Sequence, residues 1–388
     1  MLPPPTLAAA VVSVLAATFE IGRRVAFSSA PVVDDGVPLI DVANLTDVVQ
    51  LRRAAMHLGI FRLSGHGVDV HGALNASRTF FAQPEEVKRS ARSSTGATGG
   101  FQRGYVPLAG ESGLKDFVEL KEGFCYGRAP PALDAAATRR NRTACDELVS
   151  PNAWPVDDVA VGAEWQRTLE RAVDDSLALT NTLHAALSGA MGKPADFLAG
   201  LAAGGEDISL MRLFHYFSPD AHPQIAPGVP RTGSSPHTDW HLVTIVVQDT
   251  TGGLQARRPR PPYDWIDVPA NEGELIVILG DYLSVLSEGL FVSPVHRVLL
   301  PTAPDERFSF TYFRYPHCAA TAPTRAARRA EKLARRAYRE RRRHPEGSGR
   351  FNTLIAPQPD GAGLTKLARQ PWGELLIDKW NGVASNKV

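Results

Sequence analysis

Cysteine is scarce in this chain of 388 residues: Cys125, Cys145 and Cys318 stand far apart, with no CxxC pair. That excludes a cysteine-ligated zinc cluster, and the odd number and wide spacing argue against a disulfide framework. Excess charge is missing too. Lys and Arg number 42 against 41 Asp and Glu, a formal net charge of +1, so no global field draws the chain to nucleic acid or an anionic membrane. Long apolar runs are also lacking. Leu7–Phe19 is apolar over thirteen residues, short of the roughly 20 that a membrane-spanning helix needs. It has the length of a signal-peptide core, yet no Lys or Arg precedes it. The triplets beginning at Asn44, Asn75 and Asn141 fit N-x-S/T, a pattern frequent by chance. The reading favours a cytoplasmic location over secretory or organelle targeting and sets residues 1–35 aside as an N-terminal extension.

What is present divides by texture. Val37–Leu45 reads as a strand and turn, Thr46 as the cap of a helix running to Leu58, Gly59 as its stop, and Ile60–His66 as a second strand. Residues 90–115 are rich in Gly, Ser and Thr and predict a loop. Trp165, Leu169, Val173 and Leu177 recur every four residues, with Leu183 and Leu187 continuing the stripe, so Glu164–Gly192 predicts a long helix against a sheet. From Ile208 to Pro316 short β-type runs alternate with turns, the pattern of an antiparallel barrel or a double-sheet jelly roll. The stretch after Pro323 carries ten basic residues against Glu331 and Glu340. It reads first as a solvated helix or mobile insert and second as a contact for an anionic surface or nucleic acid. Pro371–Val383 has the spacing of a closing helix. The expected division is 1–35, a helix-containing region 36–200, a β core 201–320, a basic insert 321–350 and a C-terminal helix and tail 351–388.

The segment SSPHTDWHLVTIVVQD (Ser234–Asp249) places His237 and Asp239 two apart at the mouth of a strand. Residues two apart in a strand share a face and lie about 6.6 Å apart, so both can reach one cation. His241 would share that face at about 13 Å from His237, too far to join. An isolated HxD is more often a pair of ordinary polar groups. His296, 57 residues after Asp239, changes the weighing: two histidines and a carboxylate make the facial triad of non-haem Fe(II) oxygenases, with three positions open. Arg307 and Ser309 share one strand face and can hold a carboxylate by a guanidinium fork and a hydroxyl. The plain alternative for Arg307 is a surface ion pair with Asp305 or Glu306.

Taken together, these segments resemble the iron(II)/2-oxoglutarate-dependent dioxygenase superfamily, in its isopenicillin N synthase-like branch. The likeness runs from about Val37 to the C-terminus through VPLIDVANL, RGYVPLAGE, PHTDWHLVTIVVQD, ELIVILGDYLSVLSEGLFVSPVHRV, ERFSFTYF and WGELLIDKWNGV. The resemblance implies a mainly β fold with flanking helices, a double-stranded β-helix or jelly-roll core, between a helical N-terminal region and a C-terminal helix. It implies Fe(II) on His237, Asp239 and His296, and 2-oxoglutarate on Arg307 and Ser309, with Tyr216 touching that co-substrate. Tyr216 is equally well a core aromatic. Phe214 and Ile278 depart from the family's frequent asparagines, which bears on co-substrate geometry but not on the triad.

The implied activity is oxidation of a small organic molecule, hydroxylation by default and desaturation or ring closure from the same chemistry, with O2 consumed and succinate and CO2 released. Two rivals stand beside it. One is an iron oxidase of the same fold that takes electrons from substrate or ascorbate. The other is a non-catalytic binding module acting through the basic 324–343 segment. The expected partner is a small molecule, with no nucleic acid, no membrane span and a monomer as default.

Overall fold

Strands of this chain that are buried on both faces still alternate in chemistry, and that alternation organises the molecule. The computed structural model describes residues 36–92, 103–108, 110, 118–128, 148, 151–155, 160–204, 207–222, 225, 229–341 and 364–385. The N-terminal extension, Asn141, Cys145 and most of the Gly/Ser/Thr loop lie outside the described residues, as do positions 342–350 of the basic segment.

The described strands are β1 (Leu39–Asp41), β2 (Ile60–Ser64), β3 (Gly104–Val106), β4 (Val118–Glu119), β5 (Lys121–Tyr126), β6 (Leu210–Tyr216), β7 (Arg231–Thr232), β8 (Ser234–His237), β9 (Val243–Gln248), β10 (Leu254–Arg257), β11 (Trp265–Asp267), β12 (Leu275–Leu279), β13 (His296–Val298) and β14 (Arg307–Arg314). Eight form one sheet in the order β1-β2-β12-β9-β14-β6-β5-β3, and four form a second, β11-β10-β13-β8. Strands β4 and β7 make a short parallel pair. The two larger sheets are the double-sheet fold expected of a jelly roll.

In β9 the sequence VTIVVQ sends Val243, Ile245 and Val247 into the larger core and Val246 into a smaller one. The smaller core joins Phe214, Tyr216, Val246, Ile276 and Ile278 of the large sheet to Leu254, Ala256, Ile266 and Val298 of the small one. It therefore lies between the sheets. Register places Thr244, Gln248, Arg212, Arg307, Ser309 and Thr311 on the same inward face. Burial alone does not separate the two faces.

Helices cover the outward face. In chain order they are α1 (Val48–His57), α2 (Val70–Phe81), α3 (Glu85–Ser90), α4 (Ala163–Ala190), α5 (Phe197–Ala203), α6 (Asp281–Leu286), α7 (Thr324–Arg341) and α8 (Trp372–Ser385). Trp165, Leu169, Val173, Leu183 and Leu187 of the α4 stripe are buried and Leu177 is partly buried, and Trp165 donates Nε1–H to the Ala76 carbonyl of α2 at 2.9 Å. Helix α1 begins one residue later than expected. Its cap is Asp47, whose carboxylate accepts from the amides of Val49 and Gln50, two orphan donors that the Thr46 hydroxyl does not take. Gly59, at φ +69°, ends the turn as predicted.

The basic segment is helical to Arg341. Ala326, Ala327 and Ala330 are buried, and Arg325 and Arg329 both pair with Glu288 beyond α6. The wide spacing argues against a disulfide framework but does not preclude a single bond: Cys318 is disulfide-bonded, while Cys125 is free and buried. Gly373 at the start of α8 donates its amide to the Cys318 carbonyl. No helix among the described residues is long and apolar enough to cross a membrane.

Candidate metal centre

Antiparallel pairing of β13 with β8 sets His296 directly across from His237. Their ring centroids are 4.3 Å apart. Each ring is fixed by its own backbone two residues upstream: His237 Nδ1 donates to the Ser235 carbonyl at 2.7 Å and His296 Nδ1 to the Pro294 carbonyl at 3.2 Å. A carbonyl can only accept, so Nδ1 carries the proton and Nε2 presents its lone pair. Both Nε2 atoms lie 3.8 Å from Asp239 Oδ1. Ligand atoms of His237, Asp239 and His296 all fall within 4.8 Å of one another.

Asp239 does not share a strand with His237, as spacing alone suggested. Strand β8 stops at His237, and the chain turns through residues 238–242 before β9 begins in the other sheet. The turn is braced from α6. Thr238 donates Oγ1–H to Asp281 Oδ2 at 2.8 Å, and the Asp281 amide donates to the Asp239 carbonyl at 2.8 Å. Thr244, the first inward residue of β9, donates its hydroxyl to Asp239 Oδ2. That leaves Oδ1 as the oxygen facing the histidines. His241 stands behind this pair, its Nε2 3.3 Å from Thr244 Oγ1. It is outside the ligand group, as expected, but because of the turn and not because of strand spacing.

Charge follows from burial and company. Burial alone would raise the Asp239 pKa, but His296, His241, His237 and the Thr244 hydroxyl together hold the carboxyl below its usual range. His296 is pushed down to about 4, first by burial and then by His237. An ionised carboxylate and a neutral imidazole are the forms that bind a metal. Nitrogen and oxygen donors, two histidines to one carboxylate, fit Fe(II) with positions left open.

On the inward face of β14, Arg307 is 1% exposed. It makes no surface ion pair with Asp305 or Glu306. Instead Nε donates to the Gly252 carbonyl, Nη1 to Ser309 Oγ at 3.2 Å and Nη2 to Gln248 Oε1 at 3.0 Å. Tyr216 lies across from it in β6, its ring centroid 4.6 Å from the Arg307 Cζ. Phe214 and Ile278, the two departures, both belong to the inter-sheet core.

The profile of the 2OG-Fe(II) oxygenase superfamily matches residues 208–316, and that of the non-haem dioxygenase N-terminal region (in morphine synthesis) matches 37–157. The 2-oxoglutarate-dependent dioxygenase citB of Monascus ruber is 31% identical over 277 residues, covering 68% of this chain and 76% of that one. The chain belongs to the 2OG-Fe(II) oxygenase superfamily. Within this superfamily it is also similar to the naringenin,2-oxoglutarate 3-dioxygenase of Arabidopsis thaliana, 30% identical over 312 residues and 78% of each chain. Its fold matches that of a full-length Neurospora crassa protein in complex with alpha-KG, with a TM-score of 0.63 at 21% identity over 90% of this chain and 97% of that one. As a superfamily member it is a non-haem dioxygenase that uses Fe(II), through His237, Asp239 and His296, and 2-oxoglutarate to oxidise a small molecule.

Thr244, Gln248, Gly252 and Asp281 escaped the sequence reading. A signal for the first and second was there: in VTIVVQ the polar residues 244 and 248 are four apart, on one face of an otherwise apolar strand. Asp281 carried none, because its role depends on how α6 meets the turn.

Proposed function

We propose that the protein couples decarboxylation of 2-oxoglutarate, to succinate and CO2, to hydroxylation of a C–H bond in a small organic molecule. O2 is the oxidant, one of its atoms going to succinate and the other to the new hydroxyl, and Fe(II), when bound, would supply the activation of O2. The chain's own residues hold and orient. His237 and His296 turn Nε2 towards Asp239, each ring fixed through Nδ1 by its carbonyl partner, and Asp239 presents Oδ1 because Thr244 occupies Oδ2. Arg307 and Ser309 bind the far carboxylate of 2-oxoglutarate, and Tyr216 walls that end of the site.

One observation carries the clamp. A guanidinium has five N–H groups, and three of those on Arg307 are taken by Gly252, Ser309 and Gln248. One N–H on each terminal nitrogen remains, the pair a carboxylate accepts from bidentately. The partners fix the plane of the fork before any ligand arrives, so little rotamer entropy is lost on binding.

The test needs no substrate. Fe(II) is added to the purified protein without oxygen and 2-oxoglutarate is titrated in. A saturable visible charge-transfer band is expected, absent in Asp239→Ala and shifted to far higher 2-oxoglutarate in Arg307→Leu. An unchanged titration in Arg307→Leu would refute the clamp.

A further inference from the structure

Two more arginines lie at the other end of the inward face. Arg212 in β6 sits across from Thr311 of β14 and Cys125 of β5, four residues along from the Tyr216–Arg307 row, or about 13 Å. Its Cζ is 5.6 Å from the Phe313 ring, and Phe313 is the register partner of Thr244, which holds Asp239. Arg103, just before β3, is 1% exposed. Its head group lies against Gly127: a Cβ placed there would come within 2.2 Å of Nη1 and 2.8 Å of Nη2. Only a glycine leaves room for it.

Arg307 and Arg103 are equally buried, but among the described residues Arg103 Nε and Nη1 have no hydrogen-bond partner. The carboxylate of Asp207 is nearby, yet its Oδ1 is taken by Arg314 at 2.8 Å and by the Ser209 amide. Cys125, Arg212 and Tyr315 are the other charged or titratable neighbours, and the Tyr315 ring is 4.8 Å from that of His241. A buried, incompletely bonded guanidinium beside a second one is costly in isolation. An anion between them removes that cost.

We propose that Arg103 and Arg212 anchor a carboxylate of the substrate, so that the small molecule this protein oxidises is an organic acid. The proposal rests on the oxygenase reading, which makes this side of the metal centre the place for substrate. The two ends of the inward face then divide the work: Arg307 and Ser309 take the acid of the co-substrate, and the Arg103–Arg212 pair takes the acid of the substrate. The scissile C–H is held between them, beside the triad.

The experiment compares acids with neutral amides of the same shape. Acetate, hexanoate, benzoate and cinnamate, each with its primary amide, are titrated by calorimetry into the full chain loaded with Fe(II) and 2-oxoglutarate under anaerobic conditions. At least one acid is expected to bind about tenfold or more tightly than its amide, because charge-assisted bonds are roughly twice as strong as neutral ones. That preference is expected to vanish in Arg103→Gln and in Arg212→Gln while their 2-oxoglutarate charge-transfer titration stays as in the wild type, which also shows that the variants are folded. Acid and amide binding alike, neither binding, or a preference that survives in both variants would overturn the proposal. Should Arg103→Gln not fold, Arg212→Gln and the acid–amide comparison on the wild type decide it. Loss of the charge-transfer band in the wild type itself would instead sink the oxygenase reading.

Discussion

The two faces of the eight-stranded sheet are both buried, and they do different things with polar groups. Outward, Glu122 accepts from Lys88 Nζ at 2.8 Å and Tyr105 Oη at 2.5 Å, and pairs with His215 Nδ1 at 2.9 Å. His215 also stacks on Phe308 at 4.6 Å. Burial would raise the Glu122 pKa, but bonds from His215, Lys88 and Tyr105 pull it below the usual carboxylate range. That island is held within the protein: Glu122 is its shared acceptor, Lys88 and Tyr105 also reach Glu85, and His215 Nε2 lies 3.1 Å from Glu306. Inward, Asp239 Oδ1 and the Nε2 atoms of His237 and His296 come together as one ligand group, and Arg307 is bonded to Gly252, Ser309 and Gln248 on the same face. Depth therefore does not separate the two faces; the grouping of ligand-type atoms does.

Breaking the inward face hardest means removing the carboxylate. Asp239→Ala is expected to lose bound iron and at least about 10³-fold in turnover, since the remaining histidines make an incomplete site. Metal analysis beside a urea unfolding curve checks it: iron should go while the unfolding midpoint moves little. On the outward face the expected pattern is reversed. Glu122→Ala leaves Lys88, His215 and Tyr105 without their shared acceptor and should cost about 3–5 kcal/mol of stability. The folded fraction should keep its 2-oxoglutarate titration unchanged. If Glu122→Ala weakened 2-oxoglutarate binding instead, the separation of the faces would be wrong.

Arg307→Leu comes next in size. Under the clamp proposed above it would remove two charge-assisted bonds to the co-substrate, so the KM for 2-oxoglutarate should rise on the order of 10²-fold with iron content intact. Steady-state turnover against 2-oxoglutarate concentration, with iron analysis alongside, distinguishes this from a folding defect.

How far the sequence alone reached follows from the range of each interaction. The long α4 helix and the run of short strands were legible because periodicity is local. His237, Asp239 and His296 were legible because type and spacing together are restrictive. The path of the chain between His237 and Asp239 was not. A strand was assumed to continue where it turns from one sheet to the other, and that turn is decided by α6 through Asp281 and Thr238, more than forty residues apart. Arg103 illustrates the same limit. Its position matters through Gly127 and through register with β5 and β6, none of which periodicity reports. Thr46 and Asp47 are adjacent, and only the path of the backbone selects which of them caps α1.

The smallest expected effect sharpens the comparison from the outward side. His184 of α4 is fully buried, and neither ring nitrogen has a hydrogen-bond partner among the described residues. Burial first, and then the Arg314 charge, lower its pKa from 6.5 to about 3. The folded protein therefore refuses a proton that the unfolded chain accepts below pH 6.5. Stability falls as pH drops from 6.5 towards 3, with a slope of about 1.4 kcal/mol per pH unit from this residue alone. His184→Leu removes both the proton and the unpaired ring nitrogens. At pH 7 it should be near neutral in stability, while between pH 7 and pH 5 the wild type should lose about 2 kcal/mol more than the variant. Urea unfolding of both proteins at the two pH values measures the difference. Equal losses would mean that His184 is protonated in the fold, and so has an outward-face partner that it lacks here.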